Sequence, residues 1–234
     1  MLKMNIKIFQ SIEGAKKATG LTVIIDVFRA FSFEAYCFSM GAKKIIPIGD
    51  SAIAYRLKEE NPEMILAGER NGKILPGFDL GNSPSGLSAV DVCEKTIIHT
   101  TSAGTPGVAN AKYATEILGG SIINARATAE YIKKSGATDI SLVCMGYAGE
   151  YPTDEDTLCA EYIKSILQGE EMDLSANIEK LKTTDGAKFF DPAQCDVFPE
   201  KDFYMCTQVD KFDFVMRLNK TDDREYMEKL KIRE

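Results

Sequence analysis

The stretch Thr96-Ile97-Ile98-His99-Thr100-Thr101-Ser102-Ala103-Gly104-Thr105-Pro106-Gly107 decides how the rest of the chain is interpreted. Its mostly apolar beginning predicts a buried strand over Thr96–Thr100, and the segment Gly107–Ile117 predicts a helix. Hydroxyl groups and glycines lie between the two, so free backbone N–H groups would meet at the positive end of a helix. Such a turn binds anions, most often phosphate. It is equally an ordinary helix start capped by Thr or Ser, and the turn alone does not decide between the two.

The same alternation of strand and helix runs through residues 1–169. Further strand-like runs are Asn5–Phe9, Leu21–Val27, Lys44–Ile48, Met64–Ala67, Ser121–Ile123 and Ile140–Met145. Further helix-like segments are Arg29–Met40, Ser51–Glu60, Arg126–Lys134 and Asp154–Leu167. Continuous Val, Ile and Leu runs are typical of strands buried on both faces, which favours a parallel sheet covered by helices. The pattern therefore predicts an α/β fold, a three-layer α/β/α sandwich with a mostly parallel sheet.

The pattern changes after Gly169, where the chain becomes more polar. One helix is predicted over Leu174–Leu181, late strands over Phe203–Thr207 and Phe212–Leu218, and a solvated helix over Lys220–Glu234. With no repeat or linker in view, we expect a single domain over residues 1–234. Its core would be 1–169, and residues 170–234 would form a C-terminal α+β appendage.

Composition narrows the possible partners. The chain has 234 residues, of which 44% are hydrophobic and 27% charged, so it is not a disordered chain. A net charge of -7 argues against nucleic acid or an anionic membrane as the main partner. No apolar run approaches the roughly 18 residues that span a bilayer, and no signal peptide is evident. Six scattered cysteines indicate reduced thiols, so we expect a cytoplasmic protein that acts on a small phosphorylated anion, with a homodimer as one open option for its assembly.

Polar residues follow five of the predicted strands. In open α/β sheets, ligands bind outside the carboxyl ends of the strands. The segments found there are 26–29, 68–70, 100–102, 124–126 and 146–156. Together they supply carboxylates, guanidinium groups, amides and hydroxyls, which suits a divalent metal ion plus an anion.

Asp26 and Arg29 are the first candidates along the chain. Asp26 ends the apolar run Val23-Ile24-Ile25, where its carboxylate could be a metal ligand or a nucleophile that forms an acyl phosphate. It could also simply cap the next helix. Arg29 could bind phosphate with two hydrogen bonds, or form a salt bridge at the surface.

Two glycine-rich loops carry the next candidates. In the loop from Gly68 to Pro84, Glu69 and Asp79 offer the oxygen ligands that Mg²⁺ prefers, and Arg70 could bind an anion. Asn82 and Ser83 precede Pro84 at a predicted helix start, which could also hold an anion. In the loop 146–156, Asp154 and Glu155 are interpreted as acids of a first helical turn, and Asp156 as the better catalytic candidate.

Several phosphate chemistries are excluded by missing motifs. There is no G-x-x-x-x-G-K-[ST] loop and no G-x-G-x-x-G fingerprint. No cysteine is followed six residues later by arginine, and no second aspartate stands two residues after Asp26. The single histidine, His99, cannot build a two-histidine phosphatase site.

The combined motifs resemble the 2-phosphosulfolactate phosphatases of coenzyme M biosynthesis, the ComB-like family. The resemblance covers residues from about 20 to 165 and is most specific in Gly77-Phe78-Asp79-Leu80-Gly81-Asn82-Ser83-Pro84. It is also carried by residues 23–30, 68–70, 100–105, 124–125, 144–151 and 156–160. The chain departs from the family at Phe31, where threonine is common, at Ala103, where asparagine is common, and at Glu161, where glycine is common.

The resemblance implies a Mg²⁺-dependent hydrolase that removes phosphate from 2-phospho-3-sulfolactate on an α/β fold. Asp156 matches the acidic position of the family's last motif. The expected catalytic residues are Asp26, Arg29, Arg70 and Asp156, and the expected metal ligands are Asp26, Glu69, Asp79 and Asp156. The expected substrate-binding residues are Asn82, Ser83, Thr100, Thr101, Ser102, Gly104, Thr105, Asn124 and Arg126.

In the expected mechanism, the two arginines Arg29 and Arg70 stabilise the charge of a loose transition state. Arg126 holds the carboxylate or sulfonate of the substrate. A metal-bound water is the preferred nucleophile, and attack by Asp26 is the alternative. Two rival functions stay open: a binding module without turnover, and another phosphoryl-transfer enzyme.

Overall fold

A ten-stranded β-sheet organises the chain, which the computed structural model describes over residues 4–221 and 224–232. The strands are β1 (Asn5–Gln10), β2 (Gly20–Ile25), β3 (Lys44–Pro47), β4 (Ile65–Arg70), β5 (Lys73–Ile74), β6 (Thr96–Thr100), β7 (Ala114–Gly120), β8 (Asp139–Cys144), β9 (Phe214–Lys220) and β10 (Glu225–Lys231). Their order in the sheet is β1-β8-β2-β7-β9-β10-β3-β6-β4-β5. Two parallel groups, β1-β8-β2-β7 and β3-β6-β4, flank an antiparallel hairpin.

Helices cover both faces of this sheet, which confirms the predicted three-layer α/β architecture. They are α1 (Ser11–Ala15), α2 (Ala30–Ser39), α3 (Ser51–Glu60), α4 (Gly104–Asn110), α5 (Ala125–Ser135), α6 (Asp154–Gln168), α7 (Ser175–Leu181) and α8 (Glu200–Cys206). Short 3₁₀ helices occur at Pro84–Ala89, Ile122–Asn124, Ala187–Phe190 and Pro192–Gln194. Among the described helices, none is both long and apolar enough to cross a membrane.

Strand β2 shows why the sheet is buried on both sides. Side chains of a strand alternate between its two faces. Val23 and Ile25 pack into the hydrophobic core on one face, and Ile24 packs into the core on the other. All three are inaccessible to solvent, so this strand reads as a continuous apolar run.

The hairpin of β9 and β10 lies in the middle of the sheet, between β7 and β3. The segment after Gly169 contains helices and strands, as an α+β extension would, yet this part of it joins the two parallel groups. Met216 and Met227 of the hairpin are fully buried. The end of the chain is therefore not peripheral to the sheet.

The predicted solvated helix over 220–234 is wrong where the structure describes it. Residues 225–231 form β10, which pairs with β9 along its whole length, and residues 222–223 and 233–234 lie outside the described residues. Charged side chains fill the exposed positions of β10, so the sequence lacks an apolar stripe. Pairing with a distant strand overrides that local pattern.

The predicted helix over 107–117 is also wrong in its second half. Helix α4 ends at Asn110, and β7 begins at Ala114 and pairs with β2 and β9. Gly119 and Gly120 close this strand because larger residues would not fit: a Cβ on Gly119 would lie 2.6 Å from the Phe31 ring. Because glycines give only a weak strand signal, β7 was not recognised from the sequence.

Two short strand predictions also fail. Residues 122–124 form a 3₁₀ turn instead of a strand, because Ser121 and Asn124 cap each other through their side chains and backbone. The predicted strand 203–207 falls mostly within α8, in which Phe203 and Cys206 face the core. The other late strand that the sequence predicted, over residues 212–218, is confirmed by β9.

A substitution at Met227 tests whether the hairpin is part of the core. Met227→Ala empties a fully buried position opposite Ile45, and we expect the free energy of unfolding to fall by about 2 to 4 kcal/mol. Urea unfolding measures this loss, with Glu225→Ala on the same strand as the control. Equal, small losses for both variants would show that the hairpin does not contribute to the core.

Candidate active site

An open cleft of about 550 Å³, including the part exposed to solvent, lies beyond the carboxyl ends of β2, β4, β6 and β8. Asp26 and Glu69 both line it, although five strands separate β2 from β4 in the sheet. Six steps across a flat sheet would span about 29 Å, so the sheet must curve strongly. This curvature brings the ends of its two parallel groups to one site.

Asp26 lies directly after β2 and is almost fully buried. Its Oδ1 accepts a hydrogen bond of 3.1 Å from the N–H of Ala30, so it does stabilise the start of α2. Its Oδ2 faces Gly104, where a Cβ would come within 3.0 Å. Burial raises the pKa of Asp26 to about 6, the charge of Glu69 adds to the rise, and the N–H groups of Ala30 and Gly104 oppose it. The carboxylate thus acts as a cap and also lines the cleft.

Glu69 joins the turn after β6 to the loop after β4. Its Oε1 accepts from the N–H of Ser102 at 2.7 Å, and its Oε2 accepts from the hydroxyl of Ser102 at 3.1 Å and the N–H of Gly72 at 2.7 Å. The carboxylate is nearly buried and lines the cleft beside Ser102 and Ala103. These bonds fix the mutual position of the two strand ends.

The turn between β6 and α4 is held by two threonines. The hydroxyl of Thr105 accepts from the N–H of Thr101 at 2.9 Å, and the hydroxyl of Thr101 accepts from the N–H of Thr105 at 3.1 Å. Both threonines are buried. The turn is therefore an internally capped helix start whose Ser102 and Ala103 face the cleft.

Arg29 forms a buried ion pair at the wall of the cleft. Its Nη1 donates to Oδ2 of Asp202 at 2.7 Å, and the two side chains are 3% and 0% exposed. The guanidinium also lies 5.0 Å from the centre of the Phe198 ring. Asp202 accepts from Ser83 and from the N–H of Ser85 as well, so it ties α8 to the segment beyond the cleft.

Asp156 lies behind the cleft rather than in it. Its two oxygens accept from the N–H groups of Val27 and Gly146, both at 2.8 Å, and so hold the ends of β2 and β8 together. Burial, with the charges of Glu155 and Asp26, raises the pKa of Asp156 well above its ordinary value. Its neighbour Glu155 does line the cleft, and burial raises the pKa of Glu155 to about 7 while Lys188 opposes the rise.

Comparisons with known proteins identify the family of this chain. A family model described as 2-phosphosulpholactate phosphatase matches residues 6–221. The chain belongs to the 2-phosphosulfolactate phosphatase family. The predicted resemblance is thereby confirmed, and it extends well beyond the residues 20–165 on which it rested.

Individual relatives give the extent of the similarity. The chain is 35% identical over 219 residues to the probable 2-phosphosulfolactate phosphatase of Bacillus subtilis, covering 92% of this chain and 94% of that protein. It is 34% identical over 210 residues to the protein of the same name from Caldanaerobacter subterraneus, covering 84% of this chain and 86% of the relative. The corresponding protein of Caldicellulosiruptor saccharolyticus is 42% identical over 148 residues, or 62% of this chain and 61% of the relative.

Some residues expected from the family motifs lie in the cleft and others do not. The cleft is lined by Asp26, Arg29, Glu69, Asn82 and Ser102 of the predicted set. Thr100, Thr101, Gly104 and Thr105 belong to the strand end and turn behind Ser102. Arg70 supports the same strand end, since its guanidinium donates to the hydroxyl of Thr100 at 2.9 Å.

Four other predicted residues do not line the cleft and are held by partners within the fold. Asp79 accepts from the N–H of Leu66 and pairs with Lys58. Arg126 pairs with Asp210 and donates to the hydroxyl of Tyr162. Asn124 caps the turn at Ser121, and Ser83 donates to Asp202, so each of the four is engaged by the fold itself.

Sequence reasoning missed two residues that line the cleft, Lys188 and Phe198. The segments at the strand ends and the loop from Gly68 to Pro84 were expected there, and they contribute further lining residues that were not proposed as ligands: Phe28, Asn71, Gly72, Gly146, Tyr147, Ala148, Thr153 and Glu155. Lys188 and Phe198 come from the polar segment after Gly169, far from the other lining residues along the chain. The only sequence signal was local, a lysine followed by Phe189 and Phe190, and it carries no recognisable spacing.

The lining residues fit the magnesium ion that the family implies. Within residues 4–221 and 224–232, no three His, Cys, Asp or Glu side chains are arranged to hold a metal ion by themselves. Mg²⁺ however keeps several waters and takes only one or two carboxylates together with substrate phosphate. Asp26 and Glu69 supply the carboxylates, and the buried Oδ1 of Asn82 has no hydrogen-bond partner in the described structure. Asp79 and Asp156, the other two predicted ligands, do not line the cleft.

Proposed function

We propose that the protein is a Mg²⁺-dependent phosphatase that hydrolyses the phosphate ester of 2-phospho-3-sulfolactate. The observation that carries the proposal is the cleft itself, where three carboxylates and two cations meet at the strand ends of a chain that belongs to this family. The product would be 3-sulfolactate, and we place the reaction in the cytoplasm as part of coenzyme M biosynthesis.

In this proposal, Asp26 and Glu69 would hold Mg²⁺, with Asn82 as a further oxygen donor. The ion would neutralise negative charge on the phosphate and polarise a P–O bond, which makes phosphorus easier to attack. Ser102 would donate its hydroxyl to a phosphate oxygen, and Arg29 would stabilise the charge that develops on the transferring group. The buried ion pair with Asp202 fixes Arg29 in place, which lowers the cost of ordering it during the reaction.

Asp26 is also placed to act on the attacking water. Burial raises the pKa of Asp26 to about 6 when no metal ion is bound, and bound Mg²⁺ would lower it, so the carboxylate would be ionised and able to accept a proton at neutral pH. Water would lose its proton to Asp26 as the oxygen attacks phosphorus, and the ester oxygen would leave with the sulfolactate and take a proton from solvent. Direct attack by Asp26 on phosphorus, followed by hydrolysis of the aspartyl phosphate, is the alternative. The configuration of a chirally labelled phosphate distinguishes them, since one displacement by water inverts phosphorus and two displacements through Asp26 retain its configuration.

The departures from the family pattern fall in different places. Phe31 is fully buried against Gly119, so it belongs to the core and not to the substrate site. Ala103 lines the cleft, so this departure does reach the site. A binding module without turnover is the rival that Ala103 keeps open.

Phosphate release from 2-phospho-3-sulfolactate tests the proposed function. We expect turnover in Mg²⁺ that stops in excess chelator and returns when Mg²⁺ is added back, because the carboxylates alone leave the phosphate charge uncompensated. Glycerol 2-phosphate serves as the comparison ester, because it carries no acidic group besides its phosphate. Tight binding of the ester in Mg²⁺, with no phosphate released over hours, would support the rival instead.

A further inference from the structure

Lys188 stands in the wall of the cleft among aromatic rings. It belongs to the 3₁₀ helix Ala187–Phe190, and its Nζ lies 5.8 Å from the ring centre of Phe28, 5.7 Å from Phe189 and 5.4 Å from Phe198. Ring faces attract an ammonium group, but they leave its N–H donors free for a stronger acceptor. The rings also keep the ammonium in a fixed place beside the cleft.

The two cations of the cleft wall differ in their partners. Arg29 is neutralised by Asp202 in a buried ion pair. Within the described residues, no hydrogen bond or ion pair within 4 Å engages Lys188, although its charge and that of Glu155 attract each other at longer range. The N–H donors of Lys188 are thus available to a ligand.

Lys188 and the strand-end groups reach the same cleft from different parts of the chain. Asp26, Glu69 and Ser102 come from the ends of the strands, while Lys188 comes from the segment that packs over them together with Phe198. A phosphate with Mg²⁺ suits the groups at the strand ends. A second acidic group on the same molecule would then be available to Lys188.

Arg126, the residue expected from sequence to hold that acidic group, is not available for it. Its guanidinium lies away from the cleft, bound to Asp210 and Tyr162. The cleft therefore needs another cation if its substrate carries a carboxylate or sulfonate beside the phosphate.

We propose that Lys188, held by Phe28, Phe189 and Phe198, binds the carboxylate or sulfonate group of the substrate and so selects acidic phosphate esters. This inference rests on the proposed function, because it assigns the second anion site of the same cleft. Lys188 is a binding residue in this account and takes no part in bond breaking.

The first test compares two phosphate esters in matched variants. For Lys188→Met, we expect the ratio of kcat/KM for 2-phospho-3-sulfolactate to that for glycerol 2-phosphate to fall at least about tenfold, mostly through KM. Lys188→Arg keeps the charge and should stay within about threefold of the wild-type ratio. Lys182→Met is the control, since Lys182 pairs with Glu179 outside the cleft. If the wild-type protein hydrolyses 2-phospho-3-sulfolactate and Lys188→Met leaves the ratio unchanged, the inference is overturned and the proposed function stands.

The second test does not depend on turnover. The dissociation constant of 3-sulfolactate, measured by calorimetry, should rise at least about tenfold in Lys188→Met, while that of inorganic phosphate with Mg²⁺ changes by less than about twofold. A selective loss of sulfolactate binding in Lys188→Met, together with no phosphatase activity in the wild type, would support the inference and refute the proposed function. Equal losses for sulfolactate and phosphate, or no sulfolactate binding to the wild type, would overturn the inference. Lys188→Arg, which should bind sulfolactate, separates a lost charge from a damaged fold.

Discussion

Asp26→Asn should lower kcat for phosphate release at least about 1000-fold while leaving a folded protein. The asparagine keeps the shape of the side chain, and its oxygen can still accept from the N–H of Ala30. It removes the charge that would hold Mg²⁺ and the base that would accept a proton. Steady-state phosphate release at pH 8 measures the loss, with Asp91→Asn on an exposed loop as the control. Activity within tenfold of the wild type would remove Asp26 from the reaction.

The same variant should change how stability depends on pH. Since burial raises the pKa of Asp26 to about 6, the folded state holds this proton more tightly than the unfolded state does, and the contribution of Asp26 to wild-type stability falls as pH rises from about 4 to about 6. Asp26→Asn has no proton to lose there, so this fall should shrink by on the order of 1 to 3 kcal/mol. Urea unfolding at pH 4.5 and pH 7.5 gives the difference. An identical fall in both proteins would show that the carboxyl group is not desolvated in the folded state.

Asp202→Ala should be among the most destabilising single changes, with a loss of about 3 to 5 kcal/mol in the free energy of unfolding. Removing the carboxylate leaves Arg29 charged and buried without its partner. It also leaves the N–H of Ser85 and the hydroxyl of Ser83 without their acceptor. The effect is large because the pair is hidden from water.

An exposed ion pair provides the comparison for Asp202. Glu179→Ala breaks the pair with Lys182, in which the glutamate side chain is 69% exposed, and should cost less than about 1 kcal/mol. Urea unfolding of both variants at neutral pH measures the two losses. If Asp202→Ala cost no more than Glu179→Ala, the buried pair would not be what fastens α8 to the cleft wall.

The sequence predicted those parts of the fold that are encoded locally. The run Val23-Ile24-Ile25 followed by Asp26 identifies both a buried strand and its polar end within four residues. By contrast, β10 is recognisable only through its pairing with β9, and β7 depends on two glycines, of which Gly119 makes room for Phe31 and Gly120 for Val23. Contacts of that kind link distant segments, and hydrophobic periodicity does not report them.

The candidate site divides in the same way. Asp26, Glu69 and Ser102 were found because carboxyl ends of parallel strands meet at one edge of a sheet. Lys188, Phe198 and Asp202 were missed because they come from a segment without periodicity that folds back across the cleft. Charge alone did not distinguish Lys188, in the cleft, from Arg126, which is paired with Asp210.

A crystal structure of the protein with Mg²⁺, inorganic phosphate and 3-sulfolactate tests the central claim most directly, namely that phosphate esters are hydrolysed in this cleft. The account predicts Mg²⁺ on Asp26 and Glu69, phosphate beside Ser102, and an acidic group of sulfolactate within hydrogen-bond distance of Lys188. Phosphate bound elsewhere, for example beside Arg126 and Tyr162, with this cleft holding only water, would contradict it.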